Sequence, residues 1–344
     1  MCYERKLKTE KMKRTNFLLF LFGTGFFIML GLFLLSNIEP AKESAIENRI
    51  DNLERKLFTL SQINSVPLPD QVEFCGETVA LDRLDLRERF DREMNTLAYL
   101  HGTILLYLKR ANRYFPMIEP ILKENGIPDD FKYLCVIESN LDIRALSPAN
   151  AAGLWQLMES TGKDYGLEIS SEVDERYHIE KATKAACRYL KDAYSKYGSW
   201  VTVAASYNAG MGRISSALSS QQVTSALDLL LVSETSRYVF RILAIKQLFE
   251  NPYSYGFLLK KEDLYPDVPI HRVTVTQTID DLASFSQEYG LNYMLLKWFN
   301  PWLRDTKLTI RAGKSYEIAI PNVEDLYFDK NAIKVHDERW VRAK

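Results

Sequence analysis

Cysteine and histidine are scarce, with four of each in 344 residues, and none fall in Cys-x-x-Cys or His-x-x-x-His order, so zinc has no ligand pattern to bind. Cys2 precedes a long apolar run, leaving Cys75, Cys135 and Cys187 beyond it; an odd number at scattered spacing reads as small buried hydrophobes rather than a disulfide framework. A Gly-rich phosphate loop is absent, and no period of 20–50 residues repeats. Excess positive charge is lacking as well. Lys+Arg is 44 against 45 Asp+Glu, and without residues 1–16 the balance is 38 against 43, a net of −5. Nucleic-acid affinity rests on neutralising phosphates with Lys and Arg, so a nucleic-acid partner is excluded for the main body. With 47% hydrophobic and 26% charged residues the chain is too apolar for disorder and long enough for two domains.

What is present begins with a basic head, residues 1–16, carrying six basic and two acidic side chains. Phe17 to Leu35 follows without a charge, and as a helix would span about 28 Å of hydrocarbon. A cleaved signal peptide is the competing reading, but Leu34-Leu35-Ser36-Asn37-Ile38 offers no small-residue cleavage site, which favours an uncleaved signal anchor. The positive-inside rule keeps the head in the cytoplasm and sends the rest across the membrane. Residues 36–70, polar and closing on Pro67-Leu68-Pro69, read as a stalk.

From there helical spacing dominates. Leu97, Leu100, Ile104, Leu105 and Leu108 recur at helical spacing; Met117 to Glu124 is expected as a second segment ending at Asn125-Gly126; further helices are expected from Pro128 through Ser139, over Tyr177–Tyr197, Ser199–Ala209 and Glu234–Glu250. Beyond Asn251-Pro252 the pattern changes. Residues 271–275, 307–310 and 316–320 read as strands, 279–290 and 293–299 as helices, a separate small α+β unit.

Glu138 continues the apolar face marked by Phe131, Leu134 and Cys135, an acid where a hydrophobe is expected. Either it turns to solvent at a frayed helix end, pairing with Arg144, or it is buried, its pKa raised so that it can serve as a general acid. Ser139 could hydrogen-bond a substrate or the acid, or be an ordinary helix-terminal hydroxyl. Gly153-Leu154-Trp155-Gln156-Leu157-Met158 offers a core Trp, with Gln156 either a surface residue or a ligand contact and Met158 lining its apolar edge. Ser206-Tyr207-Asn208-Ala209-Gly210 closes a helix with a core Tyr and a terminating Gly.

Taken together, Ile137-Glu138-Ser139-Asn140, Ala145-Leu146-Ser147-Pro148, Ala151–Met158 with Ser160-Thr161-Gly162, Tyr165-Gly166-Leu167, Asp174-Glu175-Arg176, Ala204–Gly210 and Glu234–Val239 resemble the family 1 lytic transglycosylases, of the membrane-bound lytic murein transglycosylase D type. Pro67-Leu68-Pro69 and Arg113-Tyr114-Phe115-Pro116 fit the same type, and the resemblance covers about residues 95–255. Ser206 stands where Ala is usual, and Phe240 in a region where Pro is common. The resemblance implies a mainly α protein: a lysozyme-like catalytic domain over 71–260, a small α+β unit over 265–344 and an N-terminal membrane helix.

It further implies that Glu138 is the sole catalytic acid/base, cleaving the β-1,4 bond between N-acetylmuramic acid and N-acetylglucosamine with 1,6-anhydromuramoyl products. Ser139, Gln156, Met158, Tyr207, Asn208 and Tyr238 match sugar-holding positions, with Glu234 a weaker candidate that could instead brace its helix through Arg237 or Arg241. No metal or organic cofactor is implied; the partners are peptidoglycan strands and the membrane, and the place is the periplasm. Because an intramolecular hydroxyl replaces water, one carboxyl suffices. Asp142 and Asp164 keep a two-carboxylate, goose-type hydrolase open, and a catalytically silent wall-binding scaffold is the reading outside catalysis. The C-terminal unit resembles a LysM-type carbohydrate-binding module, from Val273-Thr274-Val275 to Ile318-Ala319-Ile320-Pro321, with Thr276-Gln277-Thr278 in place of the usual Gly-Asp-Thr. It either binds glycan or packs on the body and orients it; Trp298 and Trp302 could stack on sugars or lie in the core.

Overall fold

A computed structural model of the chain describes residues 49–53 and 65–342. The basic head, the apolar run 17–35 and most of the stalk lie outside the described residues; Arg49 to Leu53 is helical. Among the described residues no helix is long and apolar enough to cross a membrane. Val66–Lys344 forms one compact unit.

The unit opens with an antiparallel hairpin, β1 (Gln71–Phe74) and β2 (Glu77–Ala80), which pairs Phe74 with Glu77 across Cys75-Gly76. Both turn residues have positive φ, 55° and 79°, the two-residue geometry that matches strand twist. The helices α1 (Leu84–Ala98), α2 (His101–Glu124), α3 (Lys132–Ser139), α4 (Glu159–Asp164), α5 (Ile179–Tyr197), α6 (Trp200–Ala209), α7 (Met211–Gln221) and α8 (Ser233–Glu250) follow. The protein is mainly helical, as its spacing predicts. Helix α8 is the hub, packed on α1, α3 and α6, with Tyr238, Val239, Ile242 and Ile245 among its buried positions.

Four segments differ from the sequence expectations. The run from Leu97 to Leu108 is broken, since Leu97 belongs to α1 and Leu100 is exposed ahead of α2. Met117–Glu124 is no separate helix: α2 runs continuously through Pro116 and Pro120, because Phe115, Ile118, Ile121 and Leu122 are buried on both sides of the proline ring positions and their packing outweighs the lost backbone bonds. Gly210 (φ 84°) ends α6 as expected, but α7 begins at the next residue. Residues 307–310 form no strand. Their amides are taken by side chains, Thr309 N by Glu172 (2.7 Å) and Ile310 N by the Thr278 hydroxyl (3.0 Å), leaving one bridge between Ile279 and Leu308.

Beyond α8 the C-terminal unit pairs β3 (Ile270–Val275) with β4 (Tyr316–Pro321), antiparallel, around α9 (Leu282–Glu288) and α10 (Tyr293–Phe299). Its core holds Leu282, Leu296, Trp302, Leu308 and Ile318 together with Ala152, Val173 and Tyr177 from the body, so the two are packed as neighbours. Trp302 is buried, stacked on Tyr316 at 5.7 Å.

Residues 333–341 then return to the helical body. Asn112, 2% exposed on α2, ties both chain ends of the unit: its amide donates to the Tyr265 and Lys334 carbonyls (3.0 Å each) and its oxygen accepts His336 N (2.9 Å). Trp340 fills a ring cluster with Phe115 and Phe249 and donates Nε1–H to the Phe249 carbonyl at 3.0 Å. Trp340→Ala should therefore cost about 3–5 kcal/mol in urea unfolding, the range for emptying a buried aromatic site; a loss under about 1 kcal/mol would show the returning tail to be an ornament.

Candidate active site

Helix α3 is eight residues long and ends at Asn140 and Leu141, both left-handed (φ 56° and 55°). Asn140 is held there by a hydrogen bond from the Tyr107 hydroxyl to its Oδ1 and one from Arg110 Nη1 to its carbonyl (2.8 Å). Glu138 sits in the last turn, on the face that buries Leu134 and Cys135, and keeps a partly open surface. Of its two sequence readings the buried one holds: no ion pair with Arg144 forms, and Tyr238 of α8 donates its hydroxyl to Glu138 Oε1.

Burial pushes the Glu138 carboxyl up to about 7 from 4.5, with the exposed Glu234 adding to the rise; the Tyr238 hydrogen bond and the nearby Arg241 guanidinium oppose it. Tyr238 and Tyr207 are pushed well above the usual phenol value, first by burial and then by Glu138 itself, so both keep their protons and act as donors.

The remaining candidates fall into three groups. Tyr207 lies beside the acid, its hydroxyl donating to the Trp155 carbonyl at 2.7 Å, so α6 and the Gly153–Met158 loop close one wall together. Trp155 is core, as one reading expected, with Nε1–H on Thr183 (2.9 Å). Gln156, in a left-handed conformation, donates to the Ala145 (3.2 Å) and Gly153 (2.9 Å) carbonyls, shaping the loop. The Asn208 side chain has no hydrogen-bond partner among the described residues, and Met158 is 43% exposed; both are open to a ligand. Ser139 points elsewhere: it is 4% exposed and its hydroxyl donates to the Cys135 carbonyl one turn back (2.8 Å).

Glu234 does not brace α8. Arg237 and Arg241 go instead to Glu93 of α1, 1% exposed, at 2.5 and 3.6 Å. Glu93 is a residue that sequence reasoning missed. Its signal was an acid among the apolar Phe90, Met94 and Leu97 of one helical face, the same kind of signal that singled out Glu138.

The loop wall owes its shape to Asp174-Glu175-Arg176. Arg176 is buried, paired with Asp174 at 2.7 Å, and donates to the Asn150 (2.7 Å) and Leu157 (3.2 Å) carbonyls. A Cβ at Gly153 (φ 76°) would come within 2.0 Å of the Arg176 carbonyl oxygen, so this position accepts only glycine.

With this geometry in place, the chain can be set beside known proteins. Residues 115–228 match the family model of the transglycosylase SLT domain, and residues 271–324 that of the soluble lytic transglycosylase C-terminal LysM-like domain. The membrane-bound lytic murein transglycosylase D of Escherichia coli (strain K12) is 30% identical over 228 residues, 65% of this chain and 49% of that one. A putative tributyltin chloride resistance protein of Alteromonas sp. (strain M-1) is 29% identical over 128 residues, 36% of this chain and 62% of that one. The chain thus spans about half the length of the transglycosylase D that it matches. The 70 kDa soluble lytic transglycosylase SLT70 of Escherichia coli aligns over 42% of this chain and 24% of its own, at 23% identity and a TM-score of 0.36, a likeness too slight to argue from.

The raised Glu138 pKa has a thermodynamic consequence. The folded protein holds this proton more tightly than the unfolded chain does, so the stability it contributes is complete below about 4.5 and is lost as pH rises through about 7. Glu138→Gln should match the parent protein in denaturant unfolding at pH 4 and exceed it at pH 8 by up to about 3 kcal/mol. Tyr238→Phe should raise the carboxyl's titration midpoint, followed by NMR; a midpoint that falls would mean that the hydroxyl does not favour the anion.

Proposed function

We propose that this SLT-domain protein is a peptidoglycan lytic transglycosylase, cleaving the β-1,4 bond between N-acetylmuramic acid and N-acetylglucosamine and leaving 1,6-anhydromuramoyl ends, with Glu138 as its one acid/base. The observation that carries this reading is a largely buried carboxyl, pushed up to about 7 and bordering an open surface.

With Oε1 accepting from Tyr238, the acid proton belongs on Oε2, where it can pass to the glycosidic oxygen. The resulting carboxylate is stabilised by the Tyr238 hydrogen bond and by Arg241 until it takes the proton of the muramoyl C6 hydroxyl, which closes on C1 of its own ring. That hydroxyl is tethered, so no carboxylate is needed to activate water. The positions of the other carboxyls agree. Asp142 accepts Arg144 N (2.9 Å) and faces Arg110 (3.9 Å), Asp164 is exposed, and Glu234 is exposed and acts on Glu138 only through its charge. Asn208, Gln156, Met158, Tyr207 and Glu234 would line the sugar path, with Ser139 fixing the helix end.

The SLT and LysM-like matches support murein as the substrate, and the body is read as lysozyme-like. The arrangement proposed along the chain is a cytoplasmic head (1–16), a membrane anchor (17–35), a periplasmic stalk (36–70), a catalytic domain (71–260) and a LysM-like unit (265–344). The name of the Escherichia coli relative, membrane-bound, agrees with such an anchor.

Mass spectrometry of digested murein is the direct test. Anhydro-ended fragments are expected, while reducing-ended fragments would make the protein a hydrolase and none a scaffold. Glu138→Gln should lower turnover by at least about a thousandfold while murein pull-down stays near that of the parent protein; substantial residual turnover would remove Glu138 from this role.

A further inference from the structure

Two cavities that the mechanism leaves unused run together between the helical body and the C-terminal unit. The larger, about 430 Å³, lies between Met117 and Ile143 of the body and Ile270, Trp298 and Phe299 of the unit. The smaller, about 140 Å³, shares Arg113, Tyr114, Ile143 and Trp298 with it and extends to Arg110, Asp142 and Arg144. Its narrow end meets the turn that closes α3, where Arg110 donates to the carbonyl of Asn140, two residues past Glu138. The cleft therefore starts where the helix bearing the acid stops.

Charge is distributed unevenly along it. The narrow end carries three arginines against Asp142 alone, and Asp142 reaches Arg110 only at 3.9 Å. Arg113 and Arg144 have no ion-pair partner among the described residues. Arg113 is nevertheless fixed: its Nε–H donates to the Pro266 carbonyl (2.8 Å), and its guanidinium lies over the Tyr265 and Trp298 rings at 5.3 and 5.6 Å. In the wide chamber Arg272 is already answered by Glu180 and Asp267 adds a second carboxylate, so cations are not in excess there and the rest of the wall is largely apolar. A neutral sugar has no use for two unpaired guanidinium groups; a ligand with a carboxylate beside uncharged small side chains has.

We propose that this cleft is a subsite for the peptide stem of the muramoyl residue next to the cleaved bond, a stem carboxylate lying between Arg113 and Arg144 and the uncharged part of the stem against Trp298. The inference rests on the substrate reading above and deepens it: the C-terminal unit would act in choosing stem-bearing strands by forming the far wall of the site.

Binding rather than turnover tests it, so that a failure of the catalytic reading cannot be mistaken for a failure of this one. The full chain carrying Glu138→Gln would be titrated calorimetrically with two soluble murein fragments of equal glycan length, one with stems and one stripped of them. The stem-bearing fragment should bind about tenfold more tightly. Adding Arg113→Gln and Arg144→Gln together should abolish that preference and leave affinity for the stripped fragment unchanged. Arg144 is exposed, so Arg144→Gln alone keeps the fold and should lose about threefold of it. Equal affinity for the two fragments, or a loss that falls on both alike in the arginine variants, would overturn the proposal.

Discussion

The structure depends on keeping one carboxyl out of water while leaving one side of it reachable. Glu138 can be neutral near pH 7 only if no cation pairs with it directly, yet Arg241 lies close enough to act on it. An ion pair at about 4 Å near a protein surface is worth about 4 kcal/mol, which would exceed the stabilisation that holds the proton. Glu93 resolves the conflict. Buried on α1, it takes Arg237 at 2.5 Å and Arg241 at 3.6 Å, so that helix α8 presents the Tyr238 hydroxyl to the acid and turns its cations the other way.

The opposite wall is held with equal care. Gly153, Trp155 and Gln156 lie in a loop with left-handed residues, and such a loop keeps one shape only if its carbonyls have fixed donors. Arg176 provides them, and its neighbours are themselves clamped from outside: Asp174 N donates to the Trp302 carbonyl (2.9 Å) and Arg304 N to that of Glu172 (2.7 Å). The LysM-like unit therefore contributes to the shape of the acid's surroundings through the 168–178 segment.

Much of this could be read in the chain before any coordinates. Apolar periodicity placed most helices and marked Glu138 as an acid on a buried face. Tyr238, which holds that carboxyl by one oxygen, came only from the resemblance to lytic transglycosylases; nothing in Arg237-Tyr238-Val239 announces a partner one hundred residues away. Glu93 escaped notice because an acid on an otherwise charged helix usually faces water, and only the arrival of two arginines from α8 makes its burial affordable. Residues 307–310 misled for a related reason: β-branched composition predicts extended backbone, but a strand also needs a neighbour, and Glu172 and Thr278 occupy the amides that a neighbour would use. Ser139 shows the limit of adjacency, since the residue after an acid on a helix points about 100° away from it.

The abrupt end of α3 completes the tuning. Leu141 is buried in a left-handed conformation that costs about 1–2 kcal/mol for a residue with a side chain, and it persists because Tyr107 and Arg110 hold Asn140 from α2. Had the helix continued another two turns, Glu138 would lie in its middle, where the backbone is electrostatically quiet. Ending it there places the carboxyl at the negative end of the helix dipole, which disfavours an anion within the last turn. Burial, the helix terminus and Glu234 thus favour the neutral acid, while Tyr238 and Arg241 favour the carboxylate. The proposed reaction asks the group to give a proton and then take one back, which needs both sets close to balance, and a midpoint near 7 fits that demand.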